Sequence, residues 1–299
     1  MLVEGESAAC RDLWWLQISL VYNLVDIRQR CLPQTWSLAA DLQLYVASAA
    51  IALLLSRRKY ALQILFGLFM TSVLLVFGVS YIFSLKSMMM VANPEIMRSV
   101  YKDENSISFL YISPWASAPS CLLGMLLAHV VYGLQKKKRA QHKKEIAPKS
   151  EEQEFSMKFV IFRSLFFVIL AWILTGNYVK DHASPLVTSV YTALERPVFA
   201  LLVGGIIYGG LTKIDHFWLN LGSWRGWRVP GRLNLWVLLL HWIIAVSYIA
   251  SRTQLTNFTI GNVVVDLAIV IFGSYTIAIP LTLMVEMPAQ RFLQKLLFR

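Results

Sequence analysis

Charge is scarce in this chain. Charged residues make up 15% of 299 positions and apolar residues 57%, against about 25% and about 45–50% in soluble domains. The mean hydropathy is +0.56. A core of this length cannot bury that much apolar surface in water, which excludes a soluble enzyme, a disordered chain and a nucleic-acid binder. The net charge of +11 suggests a nucleic-acid partner only until its placement is read: the basic residues sit between apolar runs, where they report membrane orientation. Internal repeats, low-complexity tracts and the alternation of a β-barrel are all missing.

What is present is a series of apolar runs long enough to cross about 30 Å of hydrocarbon. Seven are predicted, at roughly 37–55, 61–84, 119–134, 159–177, 191–211, 233–250 and 262–285. The third is short, and Pro114 and Pro119 predict an irregular start. Helices satisfy their own backbone in lipid, so the expected fold is an all-α polytopic transmembrane bundle of about seven spans.

With the N-terminus outside, eighteen basic residues fall in inner segments and eight in outer ones. This predicts N-terminus out and C-terminus in. Asn257-Phe258-Thr259 is a glycosylation triplet in an outer loop. Cys10 and Cys31 flank the outer N-terminal segment, where a disulfide could persist, and Cys121 reads as a small buried hydrophobe. Met1–Asp12 is polar and has no signal-peptide core. The expectation is therefore a fragment or shortened isoform of a longer membrane protein, in the plasma membrane or endoplasmic reticulum. Its organisation reads as an outer cap at 1–36, a transmembrane domain at 37–286 and a cytoplasmic tail at 287–299. The Gln135–Glu154 linker is polar and lysine-rich, and reads as a solvated tether. Glu286-Met287-Pro288 is expected to stop the last helix.

Ionisable groups at membrane depth are costly and mark functional candidates. His241 lies within the sixth run, and Asn234, His241 and Tyr248 recur every seven residues on one helical face. That face could line a reaction chamber with histidine as general base. It could equally carry a histidine bonded to a neighbouring helix. Asp41 and Tyr45 on the first span, Glu195 and Arg196 on the fifth and Asp266 on the seventh lie at similar depth. They read either as an ion-pair network that sets packing or as a polar pocket for an acceptor hydroxyl or a solute. Arg225, Arg228 and Arg232 lie beside Trp224 and Trp227, a pattern that suits the phosphates of acyl-CoA or an interfacial anchor. Gly205 and Gly209 suit close helix contact. HExxH, Gly-x-Ser-x-Gly and Walker motifs are absent, as is a Cys/His cluster with metal spacing. No histidine precedes an aspartate by five residues.

Several blocks resemble a known pattern. They are Cys10-Arg11-Asp12-Leu13-Trp14-Trp15 through Tyr22-Asn23, then Cys31 and Trp36-Ser37-Leu38-Ala39-Ala40-Asp41-Leu42-Gln43. Further along come Tyr111-Ile112-Ser113-Pro114-Trp115, Leu194-Glu195-Arg196 with the following glycine run, Arg232-Leu233-Asn234 with His241, and Glu286-x-Pro288. Together they resemble the C-terminal portion of animal acyltransferase family 3 proteins of the nose-resistant-to-fluoxetine branch. The resemblance implies a multi-pass enzyme that moves an acyl group from acyl-CoA to a hydroxyl of a lipid, sterol or sugar, with no bound cofactor or metal. It also implies partners among membrane lipids and lipophilic small molecules. The alternative it carries is a non-catalytic protein that binds or transports lipophiles on the same fold. Ser117 stands where that family carries arginine.

Overall fold

The computed structural model describes residues 2–25, 32–56, 58–91, 105–142, 152–212, 214, 216–252 and 259–297, and these form helices and turns without a strand. The long helices are α1 (Leu2–Ile18), α2 (Trp36–Leu55), α3 (Ala61–Ile82), α4 (Pro114–His142), α5 (Glu152–His182), α6 (Pro185–Leu211), α7 (His216–Gly222), α8 (Arg228–Ala250), α9 (Ile260–Leu281) and α10 (Met287–Leu297). One-turn helices lie at Tyr22–Val25 and Met88–Val91, and π-turns at Ile107–Tyr111 and Thr282–Glu286. Seven helical stretches are long and apolar enough to cross a membrane, by length and composition. Their outward faces carry leucine and phenylalanine in the open, with Leu53 at 77% and Phe272 at 73% exposure. Such faces are stable only against lipid. Hydroxyls within the spans turn back onto their own helix: Thr71 donates to the Gly67 carbonyl at 2.8 Å, Thr192 to Thr188 at 2.8 Å and Ser274 to Val270 at 2.6 Å.

The chain divides into two compact units, Met1–Cys31 with Trp36–Leu221, and Leu32–Thr35 with Gly222–Arg299. In the first unit α6 packs against α3, α4 and α5, and α3 packs against α4. The glycines of α6 make this possible. A Cβ on Gly204 would meet Leu127 at 2.8 Å, one on Gly205 would meet Leu165 at 2.9 Å, and one on Gly209 would meet the Phe162 ring at 2.7 Å. The expected close contact at Gly205 and Gly209 is present, against α5. α3 ends in a Schellman-type turn: Ser84 adopts φ 51°, and the Leu85 amide donates to the Ser80 carbonyl at 2.9 Å. The turn directs Leu85 into a core with Val76, Leu110, Ala116 and Ala193.

In the second unit α8 and α9 run antiparallel. Arg252, just past the end of α8, bonds Asp266 in the second turn of α9, and Ile244 packs on Gly273 further along. Partners thus move backward on α8 as they move forward on α9. Gln34 donates to the Leu239 carbonyl at 3.0 Å and fastens the Pro33–Thr35 turn to α8.

Two expectations about proline are amended. The third span is entered irregularly, through the Ile107–Tyr111 π-turn and a break at Ile112 and Ser113, but from Pro114 it runs as one unbroken 29-residue helix. Pro114 occupies its first position, where a missing amide costs nothing. Pro119 is fully buried within it, and membrane helices absorb one lost backbone bond. Pro288 does not stop the last helix. It falls in the first turn of α10, immediately after a π-turn in which the Met287 amide reaches the Thr282 carbonyl. The π-turn before it accommodates the backbone bond that proline cannot make.

Candidate functional site

The Arg196 neighbourhood is assembled by four elements of the first unit. Arg196 donates through Nη1 to Ser117 Oγ at 2.6 Å and through Nη2 to the Tyr111 carbonyl at 3.1 Å. Its guanidinium also lies 5.5 Å from the Tyr111 ring centroid, within cation–π range. Tyr111 is itself placed by the π-turn and by Trp36, whose ring centroid is 4.7 Å away. Beside this cluster is a cavity of about 50 Å³ lined by Val76, Ser87, Tyr111, Thr192, Glu195 and Arg196, among others. That volume takes a few waters or one small polar group, given about 10–15 Å³ per water. It cannot take a CoA. The Ser87 hydroxyl is buried there beside Glu195. The backbone carbonyl of Glu195 accepts from the Trp172 indole at 3.2 Å, and Trp172 stacks on Tyr191 at 5.4 Å. The side chain of Glu195 is left to face Ser87 and Arg196.

Asp41 and Tyr45 do not line this cavity. Both are exposed on α2, and Asp41 has no hydrogen bond or ion pair among the described residues. The carboxylate of Asp266 pairs with Arg252, not with Arg196, and Arg252 also donates to the Tyr248 hydroxyl at 3.0 Å while lying over its ring. Arg252 is outside the spans; the Tyr248 hydroxyl, the stronger influence, and the Asp266 carboxylate both raise its pKa. The correction has a simple cause. Asp266 sits in the second turn of α9, next to the end of α8, and a cation four residues beyond Tyr248 reaches it locally.

On α8, His241 is half-buried and its Nδ1 lies 3.1 Å from the Val237 carbonyl of its own helix. A carbonyl only accepts, so Nδ1 carries the hydrogen and Nε2 of the neutral ring keeps its lone pair. Asn234 is exposed and Tyr248 is engaged with Arg252. Arg225, Arg228 and Arg232 are all exposed at the start of α8, and Trp224 meets Trp227 edge-on at 5.7 Å. Cys31 and Asn257 lie outside the described residues, so the expected disulfide with Cys10 and the glycosylation site have no structural description here. Cys121 is a free thiol. Among the described residues no three His, Cys, Asp or Glu side chains gather to hold a metal.

The chain is similar to nose resistant to fluoxetine protein 6 of Caenorhabditis elegans. The two are 22% identical over 292 residues, 96% of this chain and 34% of that protein. The chain thus spans about a third of the length of the curated relative it matches. No family model and no solved structure matches. The likeness to that protein is distant, and nothing in it bears on acyl transfer.

Two residues of the cap block acquire a role that spacing did not reveal. Asn23 and Gln43 exchange side-chain amide bonds at 3.2 and 2.8 Å, and Gln43 also donates to the Leu20 carbonyl at 2.7 Å. Asn23 is 1% exposed. The pair fastens the short helix Tyr22–Val25 to α2. Serine and glutamine signals were visible in the sequence, but nothing in it joined Ser117 to Arg196 or Asn23 to Gln43.

Proposed function

We propose that the protein moves an acyl group from acyl-CoA to the hydroxyl of a membrane-held acceptor, a lipid, sterol or sugar. The observation that carries this reading is the placement of His241: its Nδ1 lies 3.1 Å from the Val237 carbonyl within a helix long and apolar enough to span, which leaves Nε2 for an acceptor hydroxyl. In the step, Nε2 takes the acceptor hydroxyl proton as the oxygen attacks the thioester carbonyl. The tetrahedral intermediate collapses, the C–S bond breaks and the CoA thiolate leaves with that proton. Arg225, Arg228 and Arg232 would hold the donor phosphates bidentately. Nine residues separate Arg232 from His241, about 14 Å along a helix, a distance the pantetheine arm bridges. Asn234 and Tyr248 flank the base on the same face. The motif resemblance supports the same reading.

The test is release of free CoA thiol by protein reconstituted with acyl-CoA and a hydroxyl acceptor. His241→Ala should lower it at least a hundredfold with unchanged thermal unfolding. Full activity in that variant would refute the role of His241.

The second reading is binding or transport of a lipophile without chemistry. What favours it is that Tyr248, on the His241 face, is already engaged by Arg252, and that the Arg196 cavity is too small for an acyl donor. Mass spectrometry decides between them: a retained lipophile of unchanged mass supports binding, and a new acyl ester supports transfer.

A further inference from the structure

α9 has 22 residues, about 33 Å of helix, which already exceeds about 30 Å of hydrocarbon. α10 follows after one π-turn, so it begins where the hydrocarbon ends. Its 11 residues divide into two clean faces at 100° per residue. Ala289, Phe292, Leu293, Leu296 and Leu297 form one, and Gln290, Arg291, Gln294 and Lys295 form the other. Both faces are exposed, with Phe292 at 67% and Leu297 at 71%. Gln290 donates to Glu286 Oε1 at 2.9 Å and fixes the first turn of α10 to the π-turn. Because α8 and α9 are antiparallel, Arg228 and Arg232 stand at the same end of this unit, and they are exposed as well. An apolar face of this size at the end of a spanning helix, with Arg291, Lys295, Arg228 and Arg232 at the same end against the single adjoining acid Glu286, matches the boundary of a leaflet rich in anionic lipid.

We infer that α10 lies in the plane of the membrane, with Phe292, Leu293, Leu296 and Leu297 in the acyl boundary and Arg291 and Lys295 on anionic headgroups. The inference is independent of acyl transfer, and its test reads no activity. With α10 seated this way, the chain leaves the axis of α9 at the Thr282–Glu286 π-turn, which lies between Pro280 and Pro288. Its seating then fixes the lower end of α9, and with it the arginine patch, at a defined depth.

The experiment is amide hydrogen exchange over Met287–Leu297 in the full chain, held in discs of phosphatidylcholine alone or of phosphatidylcholine with phosphatidylserine. Each cation near an anionic surface is worth about fivefold in association, so phosphatidylserine should slow exchange by roughly 10–30-fold. R291Q/K295Q should abolish that difference without changing exchange in α9, and Q290K/Q294K should enlarge it. Equal exchange in the two lipids would overturn the inference. So would protection that rises with protein concentration, which would make a second copy the occupant, or protection given by inorganic pyrophosphate in phosphatidylcholine discs.

Discussion

Arg196 and Ser117, 79 residues apart, meet at 2.6 Å. In this chain the serine gives the Arg196 guanidinium a side-chain acceptor. Two guanidinium groups at this spot would repel in a low-dielectric setting. A serine hydroxyl accepts one N–H, and the Tyr111 carbonyl accepts another.

Ser117→Ala removes an acceptor from a largely covered cation. The expected loss is about 1–3 kcal/mol, read as a lower melting temperature in lipid discs. Ser117→Arg should be worse, because it adds a like charge. An alanine variant that melts with the parent would show that Arg196 does not depend on Ser117.

Gly209 is the tightest helix contact in the first unit. Gly209→Leu drives atoms into the Phe162 ring, which cannot swing away at its Cβ, 3.3 Å from the built position. Overpacking of this kind costs about 1–3 kcal/mol. Gly124 has nothing within 4 Å, so Gly124→Ala is the matched control and should melt no lower than the parent. Equal melting of the two variants would contradict the packing.

The Asn23–Gln43 exchange should appear as coupling. Gln43→Ala leaves the buried Asn23 amide without Gln43 and Asn23→Ala leaves Gln43 only the Leu20 carbonyl, whereas the double variant removes both amides. A double-mutant cycle on thermal or denaturant unfolding should give an interaction of about 0.5–1.5 kcal/mol. Strict additivity would place the cap on α2 by packing alone.

Sidedness has a chemical readout. Asn257→Gln should abolish a glycosidase-sensitive mass shift in protein made in membranes. In intact vesicles the linker around 143–151 should be cut by protease only from the cytoplasmic side. Alkylation in denaturant should modify one cysteine before reduction and all three after it, if Cys10 pairs with Cys31. Three reactive thiols without reductant would refute that pairing.

The spans were legible because burial in lipid is a composition rule: apolar runs near 20 residues must be helices there. The glycine contact was legible because small residues four apart share a face. Proline was misleading at Pro119 and Pro288, since its effect depends on where the helix starts, which flanking structure decides. What the amino-acid order determined alone was the number of crossings, their helical state and the groups too polar to be idle. Pairing was decided only by the packed chain. Ser117 with Arg196, Asn23 with Gln43 and Arg252 with Asp266 are joined by approach of separate segments in space, and hydrogen bonds form across a few ångströms however many residues intervene.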